Sequence, residues 1–314
     1  MKNSFKSGLL GKFTRKNIAI IIFCFVFVIS LLSYIPQVKS LWNQLFEAVG
    51  LNEISTVAEN YPLNIHFIDV GKADAILIEC EDKFALIDTG TFDKGEKIKT
   101  YLKKCGVEKL DYIFLSHPDS DHIGGFSKLV PTFSVDLVLY PEISDEFEIN
   151  SSEYRAIFDI TSRNNIDNRA VQAQEVYLLG NATIEILAPI NGYDKINNLS
   201  IVMKMEYGGF SSLFCGDIEK EAENDIVFNE LDISADLLKV AHHGSKTSST
   251  EDFLEEVSAE YAVISVGPDN NNLPRQEILK RLKSMGVKSY RTDINGTVIF
   301  SYNGENIVIT TEKG

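Results

Sequence analysis

Cysteine is scarce in this 314-residue chain: four in all, Cys24, Cys80, Cys105 and Cys215, with no CxxC spacing. Only three lie outside the apolar segment described below, so at most one pair could close. That excludes a scaffold built on disulfides, and the three are expected as buried free thiols. Net positive charge is also missing, with 30 Lys and Arg against 45 Asp and Glu and a formal charge of -15. Sequence-independent affinity for nucleic acid comes from cations that neutralise phosphates, so this balance argues against a broad nucleic-acid-wrapping surface. Acid is absent from the first forty residues, which carry Lys2, Lys6, Lys12, Arg15, Lys16 and Lys39; taking those six cations from the total of -15 leaves -21 on residues 41–314. No internal repeat or low-complexity tract is present. With 44% hydrophobic and 24% charged residues, the chain is neither disordered nor fibrous and can bury a substantial core.

Residues 17–38 contain no charged side chain, and Ile18–Ile35 reads IAIIIFCFVFVISLLSYI. At about 1.5 Å per residue this run reaches about 33 Å as a helix, enough to span a bilayer core. Five cations precede it and one follows, so the positive-inside tendency places the amino terminus in the cytoplasm and the rest outside. A cleaved signal peptide is the alternative, but the run is longer than a signal core and Val38-Lys39-Ser40 is a poor cleavage site. The expected organisation is a basic cytoplasmic tail (1–16), a transmembrane anchor (17–38), a stalk or linker (39–61) and one extracytoplasmic domain (62–314). Leu41, Trp42, Leu45, Phe46, Val49 and Leu51 give the stalk an amphipathic helical spacing.

From Leu63 onward short apolar runs replace the long one: LNIHFIDV (63–70), AILIEC (75–80) and FALIDTG (84–90), then a helical pattern over 94–105 and the strand YIFL (112–115). The second half repeats the alternation, with strands at 135–140, 175–178, 182–188, 199–207, 211–217, 236–241 and 261–267 and helices near 151–164, 218–229, 251–257 and 275–285. Adjacent strand-strand units recur in each half. This predicts two β-rich halves packed together with helices outside, not one doubly wound sheet.

Histidine is rare too, with five in the chain, yet four fall in two tight groups, His117 with His122 and His242 with His243. In His117-Pro118-Asp119-Ser120-Asp121-His122, four ligand-type side chains follow a buried strand, and Pro118 and Gly124-Gly125 suit a tight turn. Two imidazoles and two carboxylates converging in one loop make a cation site, because unpaired they would repel or need costly desolvation. A helix cap by Asp119 or Asp121 is the plainer explanation, and it fails to account for the density of the hexad. Asp217, taken alone at the end of FCGD, reads as a cap sooner than a ligand. All three clusters nevertheless fall at strand ends followed by turns, where α/β folds assemble sites.

The strings FIDVGKADAILIE, ALIDTG, LSHPDSDHIGG, NNLSIVMKMEYGGFSSLFCGDIEKEAE, LLKVAHHGSKTSS and YAVISVG resemble the metallo-β-lactamase superfamily, and within it the hydrolase domain of ComEC-type competence proteins, over roughly residues 62–302. The resemblance implies an αββα sandwich with a metal site at the edge of the facing sheets. It places His117 and Asp119 on a first metal, Asp121 and His122 on a second, and Asp217 between them. His242 would complete the second site, leaving His243 as a substrate contact or acid, with Asp121 and His243 as the catalytic candidates. The implied cofactors are two divalent ions, zinc or manganese, with Asp119 in place of the more usual histidine shifting preference toward manganese. Asp69, Asp74 and Asp88 match positions near the site but read as turn or supporting residues. Ser245 and Gly244 could donate to substrate oxygens or simply make a turn.

Three departures stand out. No histidine lies between His122 and Asp217, with Asn198 the nearest replacement; Leu273 stands near an expected histidine; and Lys72-Ala73 replaces a Gln-Gly in the turn before Asp74. The expected activity is phosphodiester hydrolysis at the membrane surface. If DNA is the substrate, it is expected to be engaged as a strand end or single strand, with no extensive groove. A binding module that has lost activity, and an ester or lactone hydrolase, are the alternatives.

Overall fold

The structure, a computed structural model, describes residues 61–313 except 145, 146, 148, 150 and 269–271. The expected tail, the anchor and all but the last residue of the stalk lie outside the described residues. Among the described residues no helix is long and apolar enough to cross a membrane.

The first six strands, β1 (Leu63–Phe67), β2 (Ile76–Cys80), β3 (Lys83–Ile87), β4 (Lys109–Phe114), β5 (Ser134–Pro141) and β6 (Asp167–Val171), lie in one sheet. The next seven, β7 (Val176–Leu179), β8 (Ala182–Ala188), β9 (Val202–Tyr207), β10 (Phe210–Phe214), β11 (Leu237–Lys239), β12 (Tyr261–Ile264) and β13 (Lys288–Arg291), form a second. The chain then returns, and β14 (Val298–Tyr302) and β15 (Ile307–Thr311) complete the first sheet in the order β15-β14-β1-β2-β3-β4-β5-β6. Each sheet is antiparallel on one side and parallel on the other: β1, β2 and β3 pair antiparallel before β3, β4, β5 and β6 run parallel. In the second sheet β7 to β10 are antiparallel, and β10 to β13 are parallel. This is why the sequence mixes hairpin-like and helix-connected spacings in each half.

Strand periodicity explains the layering. Phe214, Leu237 and Val263 turn toward the first sheet and pack with Phe67, Ile78, Phe114 and Phe300. Their neighbours Leu213, Leu238 and Ala262 turn the other way, under Ile226 of the helix Lys220–Phe228, Phe253 of Glu251–Val257 and Ile278 and Leu282 of Gln276–Ser284. Strands buried on both faces read as unbroken apolar runs. Helices Gly95–Lys104 and Ser152–Asn164 likewise bury Ile98, Leu102 and Ile157. The expected αββα sandwich is therefore the fold.

Several strands are shorter than their apolar runs, and the early ends of β3 and β10 free Asp88 and Asp217. β3 ends at Ile87 because Asp88 takes a left-handed φ of 59°. β10 ends at Phe214, and β9 begins only at Val202 because Ile196–Leu199 forms a 3-10 turn. β6, DNRAV, was not expected; it is a polar edge strand without apolar periodicity. Cys80, Cys105 and Cys215 are free; Cys80 and Cys215 are buried, whereas Cys105 is half-buried.

Candidate metal centre

The ends of β3, β4, β10 and β11 bring the three motifs together. The turn after β4 is clamped to the turn after β3, with Thr89 N–H donating to the His122 carbonyl at 2.6 Å and Gly125 N–H to Gly90 at 2.9 Å. This contact requires glycine: a Cβ on Gly125 would lie 2.1 Å from the Thr89 oxygen, and one on Gly124 would lie 2.4 Å from that of Ser120. His117 and His122 are thereby brought side by side, with ring centroids 4.1 Å apart and the rings tilted by 53°. Asp88 accepts from Ser116 N–H and Oγ–H and pairs with His122 Nδ1, each at 2.7 Å. That contact holds the His122 ring and leaves Nε2, 3.4 Å from Asp217 Oδ1, as its free nitrogen.

After β11 the backbone enters the left-handed region at two successive residues, His242 (φ 50°) and His243 (φ 52°). Such a conformation is uncommon outside glycine and is held here by its surroundings. His242 N–H donates to Gly216 at 3.1 Å and Arg275 N–H to Gly244 at 2.9 Å. His243 Nδ1 lies 2.8 Å from the Ser265 carbonyl, which can only accept, so Nε2 is left facing Asp121 Oδ2 and Asp217 Oδ2, each at 3.6 Å. His242 stands at the rim, 20% exposed, with Nε2 3.8 Å from Asp217 Oδ2 and Nδ1 3.2 Å from Thr247 Oγ1.

Five buried polar atoms here have no hydrogen-bond partner: His117 Nε2, His122 Nε2, His243 Nε2, Asp217 Oδ1 and Asp74 Oδ1. Orphaned buried donors and acceptors are costly and rare, and their convergence fits a cation. The ligand atoms of His117, His122 and Asp217 lie within 4.8 Å of one another, as do those of Asp121, His122 and His243, and of Asp74, Asp217 and His243. The donor set of imidazole and carboxylate suits zinc, manganese or iron.

Charge supports this reading. Burial opposes the charged form of His122, but the Asp217 and Asp88 carboxylates outweigh it and hold its pKa well above the ordinary range. Burial likewise opposes ionisation of Asp217, and His243 and His122 nevertheless hold it well below the usual carboxylate range. A proton on His122 thus occupies the place a metal would take. Metal binding must release it, so apparent affinity should rise with pH, by about tenfold per unit where about one proton leaves. Calorimetric titration of manganese or zinc between pH 6 and 8 checks this; a flat profile contradicts it.

The sequence-derived residues are not equivalent in space. His117, His122, Asp121 and Asp217 converge. Asp119 lies 3.6 Å from His117 Nε2 but is 46% exposed and outside the tight groups; it stands at the start of the helix Ser120–Ile123 without a side-chain capping bond. Asp217 is no cap, since Glu219 holds that position. At the paired histidines the geometry differs from expectation: His243, not His242, enters the cluster. Asn198 does not replace the missing histidine, because its Oδ1 accepts from Glu219 N–H at 2.8 Å and its Nδ2 donates to Glu221 at 3.0 Å. Leu273 packs against the apolar layer beneath the helices. Ser245 bonds Thr247 at 3.0 Å within its own turn. Asp69 is a turn residue, bonding Gly71 N–H at 3.3 Å.

Two lysines went unassigned. Lys239, buried in β11, places Nζ 2.7 Å from Asp74 Oδ2, and Lys72 places Nζ 2.6 Å from Asp121 Oδ2. Lys239 had a signal: a lone lysine inside a buried strand needs a buried acid.

This fold and site define a metallo-β-lactamase superfamily domain, and residues 68–191 match the family model of that name, the Metallo-beta-lactamase superfamily. Curated homologues include ComEC-type competence proteins. ComE operon protein 3 of Bacillus subtilis is 30% identical over 76% of this chain and 33% of its own length. Competence protein ComA of Neisseria gonorrhoeae is 30% identical over 74% of this chain and 31% of its own. The chain therefore spans about a third of the length of the curated relatives it matches. Among solved structures, the metallo-beta-lactamase fold protein YhfI from Bacillus subtilis superposes with a TM-score of 0.52 at 14% identity, covering 76% of this chain and 99% of that one. CmlA, a diiron beta-hydroxylase from Streptomyces venezuelae, gives 0.52 at 10% identity over 77% of this chain and 54% of its own. Both share the fold.

Proposed function

We propose that this protein is a membrane-anchored, extracytoplasmic, metal-dependent phosphodiester hydrolase. The observation that carries the reading is the set of buried, unpartnered nitrogen and oxygen atoms converging at the sheet edge. His117, His122 and Asp217 would hold a metal on one side, with Asp119 beside them, and Asp121 and His243 border the other. A divalent ion held there supplies Lewis-acid polarisation of a phosphoryl oxygen and acidifies water. The protein's own contribution is orientation. Asp88 and the Ser265 carbonyl fix the rings of His122 and His243 so that one nitrogen of each faces the carboxylates of Asp217 and Asp121. Burial outweighs the neighbouring carboxylates at His242 and lowers its pKa, so it is neutral near pH 7 and can accept a proton or a hydrogen bond at the mouth. His242 and His243 thus exchange the roles first expected of them.

The substrate class follows from the relatives. A cavity of about 800 Å³, reached from His242 through Glu219 and Thr247, carries Lys195, Lys220, Lys246 and Arg281 against five acids, so its lining is mixed in sign and not net cationic. Such a lining offers no extended cationic track for a duplex, so a DNA strand end or single strand is the form of the substrate proposed. The competence-protein homologues favour DNA over a small ester. The anchor rests on residues 17–38 and their flanking cations.

The test is a panel of single-stranded DNA, duplex DNA and bis(p-nitrophenyl) phosphate with the purified full chain in manganese or zinc. Metal-dependent cleavage abolished by Asp121→Ala is the expected result. Metal binding without cleavage of any phosphodiester would instead favour a binding module or an ester or lactone hydrolase.

A further inference from the structure

The two sides of the centre differ in the cations the protein itself supplies. On the side of His243, both outer carboxylates are already paired with lysine: Asp74 Oδ2 with Lys239 at 2.7 Å and Asp121 Oδ2 with Lys72 at 2.6 Å. On the side of His117, the ion partners of Asp217 and Asp119 among the described residues are imidazoles alone. His122 lies within reach of the ligand atoms on both sides but offers one nitrogen. Its Nδ1 is held by Asp88, and its one free nitrogen lies 3.4 Å from Asp217 Oδ1. Its contact with Asp217 places it with His117 and Asp217 when a single ion is bound.

The His243 side is then framed by Asp121 Oδ2, His243 Nε2 and Asp217 Oδ2, the imidazole nitrogen being 3.6 Å from each oxygen. The Asp121 oxygen that faces His243 is the one Lys72 holds. An ammonium and a divalent ion on one carboxylate oxygen repel strongly where water is scarce. We propose that the Lys72 ammonium takes the place of a second metal, so that the centre holds one divalent ion on His117, His122 and Asp217, and that removing the Lys72 charge opens the second position at Asp121 and His243. Two features agree with this. Lys72 sits on the turn between β1 and β2 with its side chain 26% exposed, so it reaches the site from the rim and is not a core residue. The same turn departs from the family pattern, where the resemblance puts a neutral glutamine.

This inference deepens the metal-centre reading and is tested without turnover. The full chain and its Lys72→Gln, Lys72→Ser and Lys72→Arg variants are loaded with excess manganese or zinc and desalted. Bound metal is then counted by elemental analysis, and the manganese forms are examined by electron paramagnetic resonance, with circular dichroism confirming the fold. The expected result is one ion per chain in the wild type and in Lys72→Arg, with an uncoupled manganese spectrum. Lys72→Gln and Lys72→Ser should bind two, with exchange coupling between them. Two ions in the wild type, or a single ion in both folded neutral variants, overturns the role of Lys72 and leaves the metal reading intact. No metal in any form overturns both.

Discussion

Asp217→Asn should abolish metal retention and reduce phosphodiester cleavage by on the order of 10³-fold, through the loss of several kcal/mol of transition-state stabilisation. Asp217 is buried and, among the described residues, is the one carboxylate that touches three histidines, with Oδ1 3.4 Å from His122 Nε2 and Oδ2 3.6 and 3.8 Å from Nε2 of His243 and His242. Its backbone N–H donates to Ser200 Oγ at 3.1 Å, a bond the substitution keeps. Asparagine has the same shape and no charge, so the fold should survive while the electrostatic anchor is lost. Metal analysis and initial rates on the folded variant make the comparison. Wild-type metal content together with wild-type turnover would remove Asp217 from the site.

Lys239→Met should destabilise the metal-free protein by about 3–5 kcal/mol at neutral pH, because it strands a buried carboxylate. The Lys239 and Asp74 side chains are 1% and 2% exposed and 2.7 Å apart, and Lys239 Nζ also donates to the Val240 carbonyl at 3.1 Å. Burial works against the charged form of Asp74, yet Lys239, His243 and His122 keep its pKa below the usual range. A depressed pKa contributes stability above the unfolded carboxylate pKa and loses it as pH falls through the folded value. With Lys239 gone, burial is less opposed and the Asp74 pKa moves up. Protonation in mild acid then relieves the variant, so its deficit relative to wild type should shrink on going from pH 7 to pH 5. Urea unfolding at both pH values in the presence of a chelator measures this, and Asp74→Asn/Lys239→Met should recover part of the loss. A deficit that is equal at both pH values would assign the effect to packing and not to the stranded charge.

How much of this was legible beforehand can be judged residue by residue. The hexad from His117 to His122 pointed to a cation site because ligand-type side chains were packed into one short run, which follows β4 and ends in the helical turn Ser120–Ile123; His117, Asp121 and His122 converge there and Asp119 stays outside the tight groups. Asp217 alone could not be told from a helix cap, and its standing came from recurrence with the other clusters. The choice between His242 and His243 could not be made from spacing. Two adjacent left-handed residues break the alternation that a strand would impose, and the Ser265 carbonyl that holds His243 comes from a segment 22 residues away. Asn198 shows the opposite error. A polar side chain near a missing ligand looked like a substitute until its amide proved to be engaged at both ends by Glu219 and Glu221.

By itself the sequence determined the strand pattern, the superfamily and the loops that carry the ligands, since each is encoded in local periodicity or in a short run of side chains. Tertiary structure alone decided which nitrogen of each histidine is free, which carboxylates are shared, and that Lys72 and Lys239 reach Asp121 and Asp74 across 49 and 165 residues. The physical reason is that ligand identity depends on residue type, whereas ligand direction and charge balance depend on distances among chain segments that only folding brings together.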